Sequence, residues 1–352
     1  MEDILLKKVF EADRWQRGIE IGLGKRIDKA ELRKLCEPDT RIQLYRAIKN
    51  GTYKIFPPHA QLIPKDKPGE YRTVYINENI DRVFLSIVND LLFETCADMV
   101  HPACKSYQHG IGCGKVVQEC ARRIANANGA VIGWKADLTK YFDSVPIEFI
   151  DKTFDEVEKR TGKSAVIDVL RSYYHQNICF DVNGDVEEKY MSLMQGCAVA
   201  SFLADAVLSD LDARMSALGG FYVRYSDDTL YIGRNYSQAM ETMRKELGNR
   251  GLTLNPNKVE YLDANHWFKF LGFSIKGADI SISKGRLKSF QKEIESRTIK
   301  KRNATLRTAT TSVMKYLYIG DGTYSWATSV LPIITNEHDI NELNKFVLDC
   351  LR

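Results

Sequence analysis

The chain has 352 residues, of which 44% are hydrophobic and 27% charged, and its formal net charge is +4. This composition excludes a disordered chain, a collagen and a bundle of membrane helices, and the length corresponds to about two domains. The small positive charge is well short of that of a dedicated nucleic-acid-binding domain. The eight cysteines form no C-x-x-C pair, which argues against a zinc site. The first residues lack the apolar region of a signal peptide, so we expect a cytoplasmic protein.

Hydrophobic periodicity predicts helices and strands in an irregular order, which favours an α+β fold over a doubly wound sheet. The predicted helices cover residues 1–50, 81–99, 116–126, 149–175, 198–218, 238–250 and most of the chain from 284 onward. The predicted strands cover residues 61–65, 71–76, 130–136, 221–225, 229–232, 253–254 and 268–275, with a further hairpin over 178–190. The turn of the first hairpin is predicted at residues 67–70, where Pro and Gly are adjacent.

Three aspartates are predicted to lie at strand ends. Asp137 follows a short apolar run, and Asp227 and Asp228 occupy the turn of an apolar hairpin. Adjacent carboxylates in such a turn repel each other, and a divalent cation removes that repulsion. Mg²⁺ prefers hard oxygen ligands, and it is usually held by one or two carboxylates together with substrate phosphates. The pattern therefore favours a two-metal site for phosphoryl transfer over a solvated turn.

The motifs, taken in chain order, resemble those of reverse transcriptases over about residues 45–275. Asp137 resembles the first metal-binding aspartate of the polymerase palm. The segment Tyr225-Ser226-Asp227-Asp228 resembles the Y-x-D-D hairpin of that family. The resemblance implies that Asp137, Asp227, Asp228 and the backbone carbonyl of Leu138 hold two Mg²⁺ ions, with Mn²⁺ as a substitute. Lys258 resembles a lysine that is a candidate proton donor to pyrophosphate.

The resemblance also implies residues that bind the dNTP and the primer. Phe142 resembles the aromatic residue that blocks a ribose 2′-hydroxyl, and Gln195-Gly196 resembles the Q-G pair that opens the helix lining the nucleotide. Lys65 and Arg72 resemble the cations that clamp the triphosphate, with Lys67 as the alternative lysine. The segment that resembles the primer grip contains Phe270, Leu271 and Gly272.

The same resemblance implies a right-hand polymerase with fingers, a palm and a helical thumb. The palm is an antiparallel sheet that carries the Y-x-D-D hairpin. The implied divisions are an N-terminal helical extension (1–50), fingers (51–130, with part of 148–192), the palm (131–275) and a basic thumb (276–352).

The segment 284–315 is strongly basic, because its ten cations and two acids give a net charge of +8. It falls where a polymerase thumb holds the primer and template, so its cations are predicted to contact phosphates. The candidate nucleic-acid-binding residues are Lys284, Arg286, Lys288, Lys292, Lys300, Lys301 and Arg302. The aromatic residues that follow are interpreted as thumb core, with stacking on unpaired bases as the alternative: Tyr316, Tyr318, Tyr324 and Trp326.

We therefore predict an RNA-directed DNA polymerase that makes cDNA, with an RNA template, a DNA product or primer and dNTPs as partners and no membrane. Ala200-Ser201 stands where many bacterial reverse transcriptases have Ser-Pro. This departure suggests the miscellaneous bacterial group that includes phage-defence enzymes, with a cognate non-coding RNA as template. The alternatives are template-independent or protein-primed synthesis by the same site, and cDNA synthesis in a diversity-generating or group II-like retroelement. A non-catalytic RNA-binding protein is a further alternative, and a homo-oligomer or an accessory protein stays open.

Overall fold

The computed structural model describes residues 2–20, 27–65, 69–108, 110–127, 129–303, 305–320 and 324–352. They form two compact units, each built from three separate segments of the chain. The first unit comprises Met1–Tyr107, Leu138–Met215 and Thr242–Asn255, and the second comprises Gln108–Asp137, Ser216–Glu241 and Pro256–Arg352. Lys67 and part of the predicted turn at 67–70 lie outside the described residues.

Helices are numbered along the chain. They are α1 (Ile4–Val9), α2 (Ala12–Glu20), α3 (Lys29–Leu35), α4 (Pro38–Lys49), α5 (Asn79–Thr95), α6 (Cys113–Ala125), α7 (Tyr141–Ser144), α8 (Ile147–Thr161), α9 (Ala165–His175), α10 (Ala200–Ala206), α11 (Ser209–Ser216), α12 (Tyr236–Gly248), α13 (Lys284–Arg297), α14 (Leu306–Met314), α15 (Trp326–Ser329) and α16 (Glu337–Leu351). Short 3₁₀ turns occupy Ala97–Met99, Pro256–Lys258 and Leu331–Ile333, and a π-helical turn, Lys315–Ile319, follows α14. Within the described part of the chain, no helix is both long and apolar enough to span a bilayer.

The strands form three sheets. They are β1 (His59–Pro64), β2 (Tyr71–Ile76), β3 (Gly133–Asp137), β4 (Ile178–Phe180), β5 (Val186–Glu188), β6 (Phe221–Tyr225), β7 (Asp228–Ile232), β8 (Glu260–Leu262), β9 (Phe268–Phe270), β10 (Phe273–Lys276) and β11 (Asp279–Ile282). The first unit holds the sheet ordered β2-β1-β4-β5. The second unit holds the sheets β6-β7-β3-β8 and β11-β10-β9.

Helix α5 is the centre of the first unit. Its apolar residues recur at helical spacing, so that Val83, Ile87, Val88 and Leu91 are all buried. Helices α1, α2, α3 and α10 pack against it. The hairpin of β1 and β2 belongs to this unit and pairs through β1 with β4.

The second unit has a hydrophobic core that joins its sheets to its helices. Leu230 on β7, Phe273 on β10, Phe290 on α13 and Trp326 on α15 all belong to it. Helix α6 presents an apolar face, which includes Cys120, to the same core. The strands that carry the predicted aspartates are thus supported by the helical segment that begins at residue 284.

Most predicted elements are confirmed, but several differ in extent. The predicted helices over 149–175 and 198–218 are each divided into two shorter helices. In the predicted strand 130–136, pairing with β7 begins only at Gly133, because β7 ends at Ile232, which lies opposite Gly133. The predicted strand 253–254 is reduced to one isolated bridge between Leu254 and Leu138. Pro256 follows closely and has no backbone N–H to extend the pairing.

Candidate active site

The Y-x-D-D segment forms a two-residue turn between β6 and β7. Tyr225 and Asp228 are the last paired residues, so Ser226 and Asp227 make the turn. Ser226 has a φ of +58°, the sign that tight hairpin turns require at their first central position. The fully buried guanidinium of Arg224 donates to the Ser226 carbonyl oxygen at 3.2 Å. This contact braces the turn and fixes Asp227 at its tip.

Asp137 lies at the end of β3, beside this turn. Strand β3 pairs antiparallel with β7, and the register places Asp137 opposite Asp228. Directly opposed residues have Cβ atoms roughly 5 Å apart. Asp137 is 8% exposed, and Asp227 and Asp228 are half-buried. Two adjacent strands therefore bring the three predicted aspartates to one end of the sheet.

Burial and mutual repulsion raise the pKa values of two of these carboxyl groups. The pKa of Asp228 rises to about 6, because of burial first and then because of the charges of Asp227 and Asp137. The pKa of Asp227 is raised by burial and then by the charge of Asp137. The Lys258 ammonium opposes both shifts, and that of Lys135 also opposes the shift at Asp228. A bound divalent cation would relieve the repulsion that remains.

Lys258 contacts the acidic group directly. It lies at the end of the 3₁₀ turn Pro256–Lys258, and its Nζ donates to Oδ2 of Asp137 at 2.7 Å. Burial disfavours its charge, but the hydrogen bond to Asp137 and the charges of Asp227 and Asp228 outweigh this effect and raise the pKa of Lys258. The predicted proton donor is thus next to the predicted metal ligands and stays protonated at neutral pH.

The donor set at this strand end suits a hard cation, because carboxylate oxygens are ligands that Mg²⁺ prefers. Among the residues that the structure describes, no three or more His, Cys, Asp or Glu side chains converge as a ready-made metal site. Oδ2 of Asp137 is bound instead by the Lys258 ammonium. The aspartates fit the predicted ions by their chemistry and shared strand end. Metal binding, including the part assigned to the Leu138 carbonyl, stays a prediction.

The predicted triphosphate cations lie on the β1–β2 hairpin of the first unit. The backbone N–H of Lys65 donates to the Glu70 carbonyl at 2.8 Å, and Arg72 pairs with Ile63. Because side chains alternate between the two faces of a hairpin, Lys65 and Arg72 project from the same face. Both are exposed, so both are accessible to an anion.

Phe142, the predicted gate against ribonucleotides, lies in the short helix α7 of the same unit. Its half-buried ring packs edge-to-face on Tyr141, with 5.7 Å between the ring centroids. Its carbonyl accepts from the backbone N–H of Leu193 at 3.1 Å. Burial raises the pKa of the adjacent Asp143, and the charges of Lys140 and Lys65 oppose that shift. Lys65 is therefore close to the segment that carries Phe142.

Gln195 and Gly196 pack against the backbone of β2. The Gln195 carbonyl accepts from the backbone N–H of Tyr75 at 2.7 Å. Gly196 has a φ of +109°, and a Cβ there would lie 2.7 Å from the Tyr75 carbonyl oxygen. Glycine alone permits this close approach. The first unit thus brings Gln195 and Gly196 to the strand that carries Arg72.

The predicted primer grip is the turn between β9 and β10. Leu271 and Gly272 both have positive φ, +47° and +80°, as a type I′ turn requires. The guanidinium of Arg286 lies 4.2 Å from the centroid of the Phe273 ring, and its Nη2 lies 3.4 Å from the Leu271 carbonyl oxygen. Phe270 is 3% exposed and belongs to the hydrophobic core. The two turn residues are half-buried, and they are therefore more accessible than Phe270.

The predicted nucleic-acid-binding cations differ in their surroundings. Lys284, Lys288 and Lys292 are exposed, recur every four residues along α13 and have no ion pair among the described residues. Lys300 instead pairs with Glu295. Arg286 is half-buried against the primer-grip turn. Lys301 and Arg302 are exposed beyond the helix.

Two of the four aromatic residues that are predicted to be buried pack in the hydrophobic core of the second unit. Trp326 is 3% exposed and its Nε1 donates to the half-buried Tyr316 hydroxyl at 2.8 Å. Tyr318 and Tyr324 are 59% and 42% exposed, and the core assignment is wrong for them. The π-helical turn Lys315–Ile319 changes the helical register, so residues of that turn do not all face the core.

Sequence reasoning missed three residues that shape the site. Arg224 braces the Y-x-D-D turn, Tyr75 supports Gln195 and Gly196, and Lys135 contacts the strand before the primer-grip turn. Arg224 lies in an otherwise apolar strand, between the buried Val223 and the half-buried Tyr225. A charged residue in such a strand is a signal that could have identified it, since buried charges need partners.

A family model described as reverse transcriptase (RNA-dependent DNA polymerase) matches residues 63–275. This range contains the predicted metal ligands, the predicted proton donor, the predicted dNTP-binding residues and the primer-grip turn. No curated protein matches the chain.

Solved structures of Candida telomerases share the fold at low sequence identity. The Candida albicans telomerase in complex with a TWJ fragment of telomeric RNA has a TM-score of 0.54 at 13% identity, covering 84% of this chain and 54% of that one. The Candida tropicalis telomerase with the corresponding fragment has a TM-score of 0.53 at 13% identity, covering 84% and 53%. The apo Candida tropicalis enzyme has a TM-score of 0.52 at 13% identity, covering 84% and 56%. The chain thus spans just over half the length of these structures, and the likeness shows the fold alone.

Proposed function

The chain belongs to the reverse transcriptase family of RNA-dependent DNA polymerases, and we propose that it copies RNA into DNA at Asp137, Asp227 and Asp228. The observation that carries this proposal is the register of β3 and β7, which pairs Asp137 with Asp228 beside the turn that holds Asp227. Nucleotidyl transfer depends on positioning and on neutralising charge, and a rigid strand end supplies the positioning.

We assign the three aspartates, with the Leu138 carbonyl, to two Mg²⁺ ions. When bound, these ions would supply the positive charge that activates the primer 3′-hydroxyl and neutralises the pyrophosphate. Lys258 donates a proton to the leaving pyrophosphate from the ammonium that contacts Asp137. Its raised pKa keeps this ammonium protonated at neutral pH.

The residues of the first unit select and hold the nucleotide. Lys65 and Arg72 bind the triphosphate, and the Arg72 guanidinium is suited to two parallel hydrogen bonds with phosphate oxygens. Phe142 excludes the 2′-hydroxyl of a ribonucleotide. Gln195 and Gly196 lie against the backbone of β2 and line the nucleotide.

The residues of the second unit hold the primer and template. The turn at Leu271 and Gly272 grips the primer terminus. Lys284, Lys288 and Lys292 lie about 6 Å apart along one face of α13, as four-residue spacing in a helix dictates. This spacing allows successive lysines to contact successive phosphates of one strand.

The experiment is primer extension on an RNA template in the presence of Mg²⁺. Wild-type protein is compared with Asp227→Asn and with Glu241→Gln, which removes an exposed carboxylate on α12. We expect Asp227→Asn to abolish extension and Glu241→Gln to match the wild type. Equal incorporation by the wild type and Asp227→Asn would contradict the proposed site.

We further propose that the template is a dedicated non-coding RNA of a bacterial host and that the enzyme acts in the cytoplasm in anti-phage defence. The Ala200-Ser201 departure from the usual bacterial motif supports this assignment. Sequencing the RNA that copurifies with the protein tests it, because one enriched RNA encoded beside the gene is expected.

Supplying one dNTP at a time tests whether synthesis follows a template. Incorporation of only the complementary dNTP supports templated synthesis, and incorporation without RNA supports template-independent synthesis.

A further inference from the structure

Lys135 lies on β3, two residues before Asp137, and makes three contacts within the second unit. Its Nζ donates to the backbone carbonyl of Lys269 at 2.6 Å and lies 2.8 Å from Oε2 of Glu260. The ammonium is 6.0 Å from the centroid of the Phe268 ring. The Lys135 side chain is 18% exposed, so these partners, and not solvent alone, stabilise its charge.

These contacts join two different sheets. Glu260 is the cross-strand neighbour of Lys135 in the pairing of β3 with β8, and therefore belongs to the sheet that carries the aspartates. Lys269 lies in β9, the edge strand of the other sheet in this unit. Strand β9 leads directly into the turn at Leu271 and Gly272. The Lys135 ammonium thus connects the strand of Asp137 to the strand that enters the primer-grip turn.

The orientation of Lys135 along β3 strengthens this connection. Side chains alternate in a strand, so Lys135 shares a face with Asp137. Trp134 lies on the opposite face, where it stacks on Tyr231 and donates from Nε1 to the Tyr236 carbonyl at 2.9 Å. Packing on that face fixes β3, so a displacement of β9 would have to stretch or break the bond to Lys135.

We propose that Lys135 is a positioning residue, which holds the β9–β10 hairpin at a fixed distance from the catalytic aspartates and thereby sets the position of the primer terminus. This inference rests on the proposed function, because it requires the hairpin to contact a primer. The hydrogen bond to the Lys269 carbonyl carries the effect. Glu260 is 46% exposed, and an ion pair with so exposed a partner contributes little.

The test uses three variants of the full chain in primer extension, with KM measured separately for primer–template and for dNTP. Lys135→Met keeps the aliphatic stem and removes the ammonium. We expect it to raise KM for primer–template on the order of tenfold, as for loss of a charged hydrogen bond, and to leave KM for dNTP within about twofold. Lys135→Arg retains a charged donor and should recover most of the loss. Glu260→Gln leaves the bond to Lys269 intact and should match the wild type.

The outcomes separate this inference from the proposed function. If the wild type extends no primer, the proposed function fails. If the wild type is active and Lys135→Met equals it, or raises both KM values alike, the positioning role fails. A parallel loss of activity and thermal stability in both Lys135→Met and Lys135→Arg also overturns it, since the residue would then be needed only for folding.

Discussion

The ammonium of Lys258 and the carboxylate of Asp137 are 2.7 Å apart, so a candidate proton donor and a candidate metal ligand form an ion pair. The Lys258 side chain is 57% exposed and that of Asp137 only 12%. The flexible, exposed partner is therefore the one free to leave. Substrate phosphates would offer Lys258 an alternative anion, and its departure would free Asp137 for a cation.

Replacing Lys258 by Met is expected to slow chemistry without preventing nucleotide binding. Loss of a general acid lowers rates by about 10²–10⁴-fold, and we expect the single-turnover extension rate to fall within that range. The dNTP concentration that gives half the maximal rate should change little. Lys258→Arg is the comparison, because a guanidinium group keeps the positive charge but does not release a proton at neutral pH. A rate for Lys258→Arg equal to the wild type would exclude proton donation.

Phe142→Ala is expected to admit ribonucleotides. Removing the ring opens space where the 2′-hydroxyl would lie, so discrimination between dNTP and rNTP should fall by about 10²-fold or more, a loss of roughly 3 kcal/mol. The measurement is kcat/KM for both nucleotides with the same primer–template. Tyr141→Phe is unsuitable as a control because the Tyr141 hydroxyl donates to the Ala204 carbonyl. Phe142→Tyr keeps the ring and should retain the wild-type preference, and an unchanged preference in Phe142→Ala would exclude the gate.

Asp228→Asn is expected to stabilise the metal-free protein while abolishing activity. The pKa of Asp228 is raised from 3.8 to about 6 in the folded state, so the folded protein binds this proton more tightly than the unfolded chain. The penalty for ionising it is absent below pH 4, grows between about pH 4 and pH 6 and is complete above that range. Asparagine removes the penalty, which we place at about 1–2 kcal/mol at pH 8 after allowance for partial exposure.

Urea unfolding in the presence of a chelator measures this effect. The variant should exceed the wild type in free energy of unfolding at pH 8 and match it at pH 4. Added Mg²⁺ should reverse the order at pH 8, because the wild type alone keeps all three carboxylates. A stability difference that is the same at both pH values would show that repulsion within the acidic group is not its cause.

Gly272→Ala is expected to disturb the primer-grip turn more than a matched change at Gly277. Both glycines have positive φ, +80° and +56°, so alanine is strained at either position by about 1–2 kcal/mol. A Cβ at Gly272 would also lie 2.6 Å from Nη2 of Arg286, whereas the nearest atom at Gly277 is 3.7 Å away. Gly272→Ala should therefore raise KM for primer–template, and Gly277→Ala should lower stability without that rise. Identical kinetics for the two variants would contradict the prediction that the clash with Arg286 disturbs this turn.

Replacing Lys284, Lys288 and Lys292 together by Gln is expected to weaken duplex binding. It should also make the binding constant less dependent on salt concentration. Each phosphate contact contributes about −0.9 to the slope of log K against log[salt], so loss of three contacts should flatten the slope by about 3. Fluorescence anisotropy of a labelled RNA–DNA duplex at several KCl concentrations measures both quantities. Lys300→Gln is the control, because Lys300 is already paired with Glu295. An unchanged slope in the triple variant would place the duplex elsewhere.

The elements around the motifs could be predicted because local patterns determine them. Alternating apolar residues and turn residues predict the hairpins over 61–76 and 221–232, and the strand-end position of Asp137 follows from an apolar run. The contacts that hold the site could not be predicted in this way. Arg224 and Ser226 are neighbours in sequence, but the left-handed backbone of Ser226 is imposed by the turn. The bond between Lys135 and the Lys269 carbonyl spans 134 residues and exists only in the folded chain.

The predicted thumb shares its hydrophobic core with the strands that carry the aspartates. Phe290 and Trp326 from the helical segment belong to the same core as Val223 on β6 and Leu230 on β7. The segment after residue 284 therefore cannot be exchanged for that of another protein without disturbing this core. A chimaera that takes this segment from another polymerase must also supply side chains that fill the space beneath β6 and β7. Recombination at residue 275, although it falls between motifs, would divide a packed core and leave the Y-x-D-D strands without their support.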